Sequence, residues 1–429
     1  MNTDSDPRTA PAVPARRPRA SRSGPALLAA ALVLAGGAAA CSSSHGGSAG
    51  SGSYTIWDPY PQFDSHSAWV RLLETCGKGA GVKVKHTAFD TTALTSKVLL
   101  AAQQGAAPDV LIVDNPVVST LAEGGILTDT RTAKVDTSAI EPNLLAAGRL
   151  NGRTYGIPIG ANTLALYYNK NVLHDAGVDP ASVTDWTSLT AALAKVKAAG
   201  RKGITFSGIG TEEGSFQFLP WFWGAGANLT DLSSAPAVNA LNLWTSWLKS
   251  GYAPNSVINN TQTTSWQEFA TGQYAFAENG TWQLAGAEKA GFPYGVLPIP
   301  AVSGGTAPAP TGGEFVTMPV QSHTARYKTS EKLISCLSSA GNAIKTDTTL
   351  SYVGATRDVQ AKQVAATPNL GPWVTAVRAA KGRTSDNLGT KYPKISQPLW
   401  TAVQSALSGS ASPQSALTTA QKAAAAATR

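Results

Sequence analysis

Cysteine is scarce in this 429-residue chain, with three residues at positions 41, 76 and 336. That excludes a disulfide-dense mini-scaffold. Charge is sparse as well: Asp, Glu, Lys and Arg make up 14% of the chain, against about 25% in an average soluble protein. With an apolar share of 43%, the composition excludes a coiled coil and a charged disordered protein. After residue 41 no apolar run is long enough to span a bilayer, which excludes a polytopic membrane protein. The sequence has no GxSxG, no HExxH, no GxxxxGK[ST] and no GxGxxG after a strand. Its five histidines, at 45, 66, 86, 174 and 323, lie far apart without metal-ligand spacing. A glycosidase carboxylate pair needs no fixed motif, so that chemistry stays open. The formal charge is +8, but no Lys/Arg cluster interleaves with aromatics, and nucleic acid is a poor partner.

The first forty residues form a unit of their own. Arg8, Arg16, Arg17, Arg19 and Arg22 make a basic stretch, and Pro25–Ala40 is an apolar run ending in small residues. This is the pattern of a secretory signal rather than a spanning helix. Cys41 follows at once and resembles a bacterial lipoprotein site, although Ala38 stands where Leu is usual. The alternative is cleavage by an ordinary signal peptidase. Two acyl chains on a Cys41 N-terminus would anchor stably where one would not. The Ser/Gly tract from Ser42 to Ser53 would then tether the protein about 20 Å off the lipid. Cys76 and Cys336 remain; an exported chain can bridge such a pair, or bury both as small hydrophobes.

Two domains are expected from the length. Tyr54–Trp57 reads as a strand, and Trp69, Leu72, Leu73 and Cys76 as a helix face. Val82–Phe89 alternates as a strand, Leu94–Ala102 is helical, and Val110–Val113 is a short buried strand. This alternation predicts an α/β fold with ligands gathering at strand carboxyl ends, where Asp58 and Asp114 should share one rim. Further strands are expected at Tyr155–Pro158, Leu164–Tyr168, Ile204–Gly208 and Glu314–Val320. Helices are expected at Val183–Ala198, Ala237–Lys249 and Thr329–Ala340, and through most of the last ninety residues. Pro298–Gly313, rich in Pro, Gly and Ala, reads as a crossing segment. Tyr167 and Tyr168 should point to opposite faces of one strand.

Tryptophan is abundant, eleven residues against ten Phe. Trp69 and Trp244 sit at core spacing. Three other neighbourhoods combine a ring with a carboxylate or amide, and these we expect in loops: Trp57-Asp58, Glu213 with Trp221 and Trp223, and Glu278-Asn279 with Trp282. Rings suit the flat C–H faces of a sugar, while carboxylates and amides pair with its hydroxyls. Core packing is the alternative for each Trp taken alone.

Asn151-Gly152-Arg153-Thr154-Tyr155-Gly156-Ile157-Pro158, then Leu166-Tyr167-Tyr168-Asn169-Lys170 and Ala176-Gly177-Val178, carry a family resemblance. Phe269-Ala270-Thr271-Gly272 through Asn279-Gly280-Thr281-Trp282 adds a second stretch. The mature chain resembles the bacterial extracellular solute-binding proteins, of the carbohydrate-binding type related to maltose-binding protein. The resemblance implies a periplasmic-binding-protein-like fold, two α/β lobes of class II type with a ligand cleft between them. It assigns 54–163 and 312–345 to the first lobe, and 164–311 and 346–429 to the second. It implies a single-copy, lipid-anchored receptor on the outer face of the cell membrane, without cofactor, metal or catalysis, serving an ABC permease and its cytoplasmic ATPase. Trp57, Asp58, Asp114, Glu213 and Trp282 match positions that line the cleft. Asn162, Trp221, Trp223, Glu278, Asn279, Gly313 and Glu314 follow by neighbourhood, and Asp386 and Tyr392 come from a late loop. Gly214-Ser215 stands where the family often has an aromatic. Cys76 and Cys336 fall on helices of one lobe, which favours a bridge. Two other readings stay open: a receptor for a polyamine or oligopeptide, and a secreted glycoside hydrolase.

Overall fold

The computed structural model describes residues 54–429. The leader, Cys41 and the Ser/Gly tract lie outside the described residues. No helix among the described residues is long and apolar enough to cross a membrane.

The chain opens with β1 (Tyr54–Asp58), α1 (Ala68–Gly79), β2 (Val84–Ala88), α2 (Thr91–Gln103), β3 (Val110–Asp114) and α3 (Asn115–Glu123). The helices start where side chains satisfy free N–H groups: Ser67 accepts from the Val70 amide, and Asp90 from that of Ala93. β1 pairs parallel with β2 and β3. Short elements follow: β4 (Leu127–Thr128), α4 (Pro142–Ala146), the ribbon β5 (Arg149–Leu150) and β6 (Arg153–Thr154), and β7 (Gly156–Pro158).

The chain then builds a second sheet. Its strands are β8 (Leu164–Asn169), β9 (Lys202–Thr205), β10 (Tyr274–Gly280) and β11 (Tyr294–Leu297). They lie in the order β11-β8-β10-β9. Between them run α5 (Lys170–Asp175), α6 (Trp186–Ala198), α7 (Glu212–Gly224), α8 (Ala235–Lys249), α9 (Gln262–Ala270) and α10 (Leu284–Glu288). The chain returns through 298–313 and inserts β12 (Glu314–Pro319) antiparallel to β3 and β7, giving the first sheet the order β2-β1-β3-β12-β4. Helices complete it: α11 (Tyr327–Ser338), α12 (Ala340–Leu350), α13 (Arg357–Ala366), α14 (Gly371–Ala379), α15 (Tyr392–Leu407) and α16 (Pro413–Ala427).

The inner strands β3 and β8 are covered on both faces, so they are largely apolar rather than alternating. In β3, Val110 and Ile112 enter one core, and Leu111 and Val113 another. In β8, Leu164 and Leu166 face one core, and Ala165 and Tyr167 the opposite one. Tyr167 is fully buried and donates to the Gly280 carbonyl at 2.9 Å, while Tyr168 is half-buried on the other face.

Three expectations are corrected. Trp57 and Asp58, expected in a loop, are the last two residues of β1. The aromatic stretch 216–223 is not a loop but lies within α7, buried from Gly214 to Gly224 even with Pro220 inside the helix. A helix apolar all round is stable only when neighbours surround it, and α8 and α15 do so. Glu278 and Asn279, likewise, belong to the fully buried strand β10.

Three crossings join the sheets side by side. Asn162 and Gly312 exchange backbone hydrogen bonds at 2.9 and 3.3 Å, and Ala161 and Val353 do so at 2.8 Å each. Cys76 of α1 and Cys336 of α11 form a disulfide with Cα atoms 5.6 Å apart.

Candidate functional site

A cleft of about 260 Å³ opens where the two sheets present their ends, beside the crossings. Its walls are Asp114, Asn162, Glu212, Glu213, Phe216, Gln262, Trp282, Gly312, Gly313, Glu314 and Arg383.

Asp114 ends β3 and begins α3. It takes the N-cap position without capping, so its carboxylate is free to turn into the cleft. There Arg383 donates to both of its oxygens, at 3.2 and 3.3 Å, from one terminal nitrogen. The other terminal nitrogen reaches Glu212 at 3.0 Å, in the first turn of α7. One guanidinium thus joins a carboxylate of the first sheet to one beside the second, and its planar fork suits this double duty. Arg383 is 4% exposed, its ring neighbours are Phe216 and Tyr392 at 5.0 and 5.9 Å, and its Nε has no partner. Burial disfavours its charge, but Asp114, Tyr392 and Glu212 outweigh that and hold it charged. Burial likewise raises the Asp114 pKa, against the pull of Arg383.

Glu314 faces Asp114 directly across the β3–β12 register. Tyr60 donates to its Oε2 at 2.6 Å, and Tyr352 donates to the same oxygen. Burial first, then the Asp114 charge, pushes its pKa up to about 7, although the two tyrosines pull it down. Glu213 accepts the Gln262 amide at 2.8 Å, at the N-terminus of α9, where negative charge is favoured. Trp282 is half-buried, 6.4 Å from the Phe216 ring.

Six residues singled out from the sequence therefore meet here: Asp114, Asn162, Glu213, Trp282, Gly313 and Glu314. The others lie elsewhere. Asp58 was expected on the same rim as Asp114. The parallel register sets Trp57 beside Leu111, so Asp58 stops two residues short of the rim. It is fully buried, accepting from the Tyr60 amide at 3.1 Å and Trp69 Nε1 at 2.7 Å, with His86 Nε2 at 2.7 Å. Trp57 packs edge-on against Phe89. Trp221 is core, donating to Glu278 Oε2 at 2.8 Å. Glu278 is fully buried with Oε1 unpartnered, and burial raises its pKa well above the usual range. Trp223 is buried under the Lys381 ammonium. Asn279 is buried and donates to the Gln262 carbonyl at 2.9 Å, so it braces the α9 end rather than lining the cleft. Asp386 is exposed in a left-handed turn, paired with Lys381. Tyr392 is buried behind the cleft, donating to Glu212.

Sequence reasoning missed Glu212, Phe216, Gln262, Gly312 and Arg383. Glu212 directly precedes the Glu213 singled out, and Phe216 stands between it and Trp221; nothing local distinguished Arg383, whose partners lie 269 and 171 residues away.

Two α/β sheets joined by crossings, with a polar cleft where their ends meet, define a two-lobe α/β protein with a cleft between its lobes. The model of the family described as bacterial extracellular solute-binding protein matches residues 71–372, and the chain belongs to that family. Among curated relatives, a maltooligosaccharide ABC transporter solute-binding lipoprotein of Streptococcus pneumoniae is 28% identical over 252 residues, 55% of this chain and 57% of that protein. The maltodextrin-binding protein MdxE of Bacillus subtilis is 28% identical over 221 residues, 49% and 51% of the two chains. The chain thus spans about half the length of these relatives. Solved structures match more fully. A cyclic alpha-maltosyl-1,6-maltose binding protein of Arthrobacter globiformis aligns with a TM-score of 0.75 at 23% identity, over 88% of this chain and 99% of that one. UgpB of Mycobacterium tuberculosis, in complex with glycerophosphocholine, aligns at 0.73 and 23% over the same shares. At such identities the likeness is one of fold.

Proposed function

We propose that this chain is an exported, lipid-anchored receptor that captures a sugar or oligosaccharide between its lobes and delivers it to the permease of an ABC importer. The observation that carries the reading is Arg383, a buried guanidinium on the cleft wall that ties Asp114 to Glu212. A polyol can insert its hydroxyls among such groups, donating to the carboxylates and accepting from the guanidinium. The Trp282 and Phe216 rings supply apolar faces, and Asn162 and Gln262 supply amides. A ligand that touches both lobes binds the closed arrangement better than an open one, and so shifts the population toward closure. The maltooligosaccharide and maltodextrin relatives support a saccharide ligand, and the lipoprotein relative supports lipidation at Cys41. On this reading the protein acts as a single copy and leaves its ligand chemically unchanged.

The test is calorimetric titration with mono- and oligosaccharides, with product analysis after long incubation. Saturable binding of one saccharide group, recovered intact, is the expected result. Release of reducing sugar, or silence from every saccharide, would overturn it.

A further inference from the structure

The cleft holds more negative charge than its one cation offsets. Asp114, Glu212, Glu213 and Glu314 line it, against Arg383 alone. Arg383 spends both terminal nitrogens on Asp114 and Glu212. Glu213 receives a backbone amide, and Glu314 two tyrosine hydroxyls. These are neutral donors, and they leave both charges without a counter-ion. Like charges in a partly desolvated cleft repel, and a ligand cation would relieve that repulsion. A second observation points to the rest of the ligand. Arg383 lines the same wall, and its buried Nε–H has no acceptor. An unpaired buried donor calls for a ligand oxygen. A hydroxyl or ring oxygen for Arg383 and an ammonium for the two glutamates describe a single compound class. Trp282 adds a ring face that attracts cations.

We propose that the cleft selects a saccharide carrying a protonated amine over its neutral parent, the ammonium lying against Glu213 and Glu314. This deepens the carbohydrate reading and rests on it. Glu314 faces Asp114 from β3, Tyr60 after β1 and Tyr352 after α12, with Glu212, Glu213 and Arg383 around the cleft. Its carboxyl titrates near pH 7. An ammonium favours the ionised form, so affinity for the amine rises from about pH 5 to pH 7, below the range in which the amino group of such a sugar loses its own proton.

The experiment is titration of the protein with glucose, galactose, mannose and cellobiose, each paired with its amino-deoxy counterpart, and with spermidine. The expected result is at least tenfold tighter binding of one amino sugar than of its parent, weakened by salt. Glu213→Gln and Glu314→Gln should each shrink that ratio, with folding checked by circular dichroism. A ratio below tenfold in every pair overturns the amine preference and leaves the carbohydrate reading standing. A preference that survives both substitutions overturns the assignment to these glutamates. Spermidine binding alone overturns both readings, and no binding of any amino sugar by folded protein overturns the amine preference.

Discussion

At the scale of single residues, the cleft depends on one side chain that the sequence does not mark. Arg383 sits in Gly382-Arg383-Thr384-Ser385, an unremarkable polar turn. Only the fold brings Asp114 and Glu212 to it. Arg383→Lys keeps the charge but loses the fork, because an ammonium cannot span both carboxylates as a plane does. We expect saccharide affinity to fall by tenfold or more in calorimetry. Stability should drop by about 1.5–3 kcal/mol, since Asp114 and Glu212 keep some water contact. Glu278 is the opposite case, conspicuous beside Asn279 and Trp282 in the sequence yet sealed in β10. Its carboxyl holds its proton in the folded chain well above the usual range. The unfolded chain ionises it near the ordinary value. Folding therefore loses stability as pH rises from there toward the folded pKa. Glu278→Gln removes this loss. The melting temperature of the variant, relative to the wild type, should climb between pH 5 and pH 8.

At the scale of elements, strands and helices were largely legible, and their loops were not. Alternation and apolar runs located β1, β3, β8 and β12 to within a residue or two, because burial on both faces leaves only apolar choices. The aromatic run after Glu213 misled for a related reason. Phe216, Phe218, Trp221, Phe222 and Trp223 show no polar face, and Pro220 suggests a break. A surrounded helix needs no polar face, and neighbouring packing holds it. The crossings are also elements in their own right. A Cβ on Gly312 would meet Asn162 Oδ1 at 1.9 Å and drive that amide out of place. Gly312→Ala should weaken saccharide binding roughly tenfold, about 1.4 kcal/mol, as read by titration, with the secondary structure unchanged by circular dichroism.

At the scale of the whole molecule, two sheets share one connected chain, and β12 closes the first sheet from 200 residues beyond β3. The disulfide does similar work between α1 and α11, across a separation of 260 residues. Linking distant positions restricts the unfolded chain most. Cys76→Ala with Cys336→Ala should cost about 2–5 kcal/mol, and the melting temperature should fall by several degrees. Saccharide affinity should stay within twofold, because neither cysteine lines the cleft. A larger change in affinity would tie lobe closure to the α1–α11 contact.

Composition, period and turn chemistry act over a few residues. The sequence alone therefore determined the α/β class, most element positions, the family resemblance and half of the cleft wall. That half comprises Asp114 and Glu314 at strand ends, Glu213 in the first turn of α7, Trp282 after β10, and Asn162 and Gly313 in the crossings. The tertiary structure decided the rest. The β1–β3 register withdrew Asp58 from the rim and left Asp114 on it. The close packing around α7 turned Trp221 and Trp223 into core. The late turn at 382–385 delivered Arg383 between two carboxylates. Register and long-range packing depend on pairs of residues far apart in the chain, and no local pattern encodes which pair will meet.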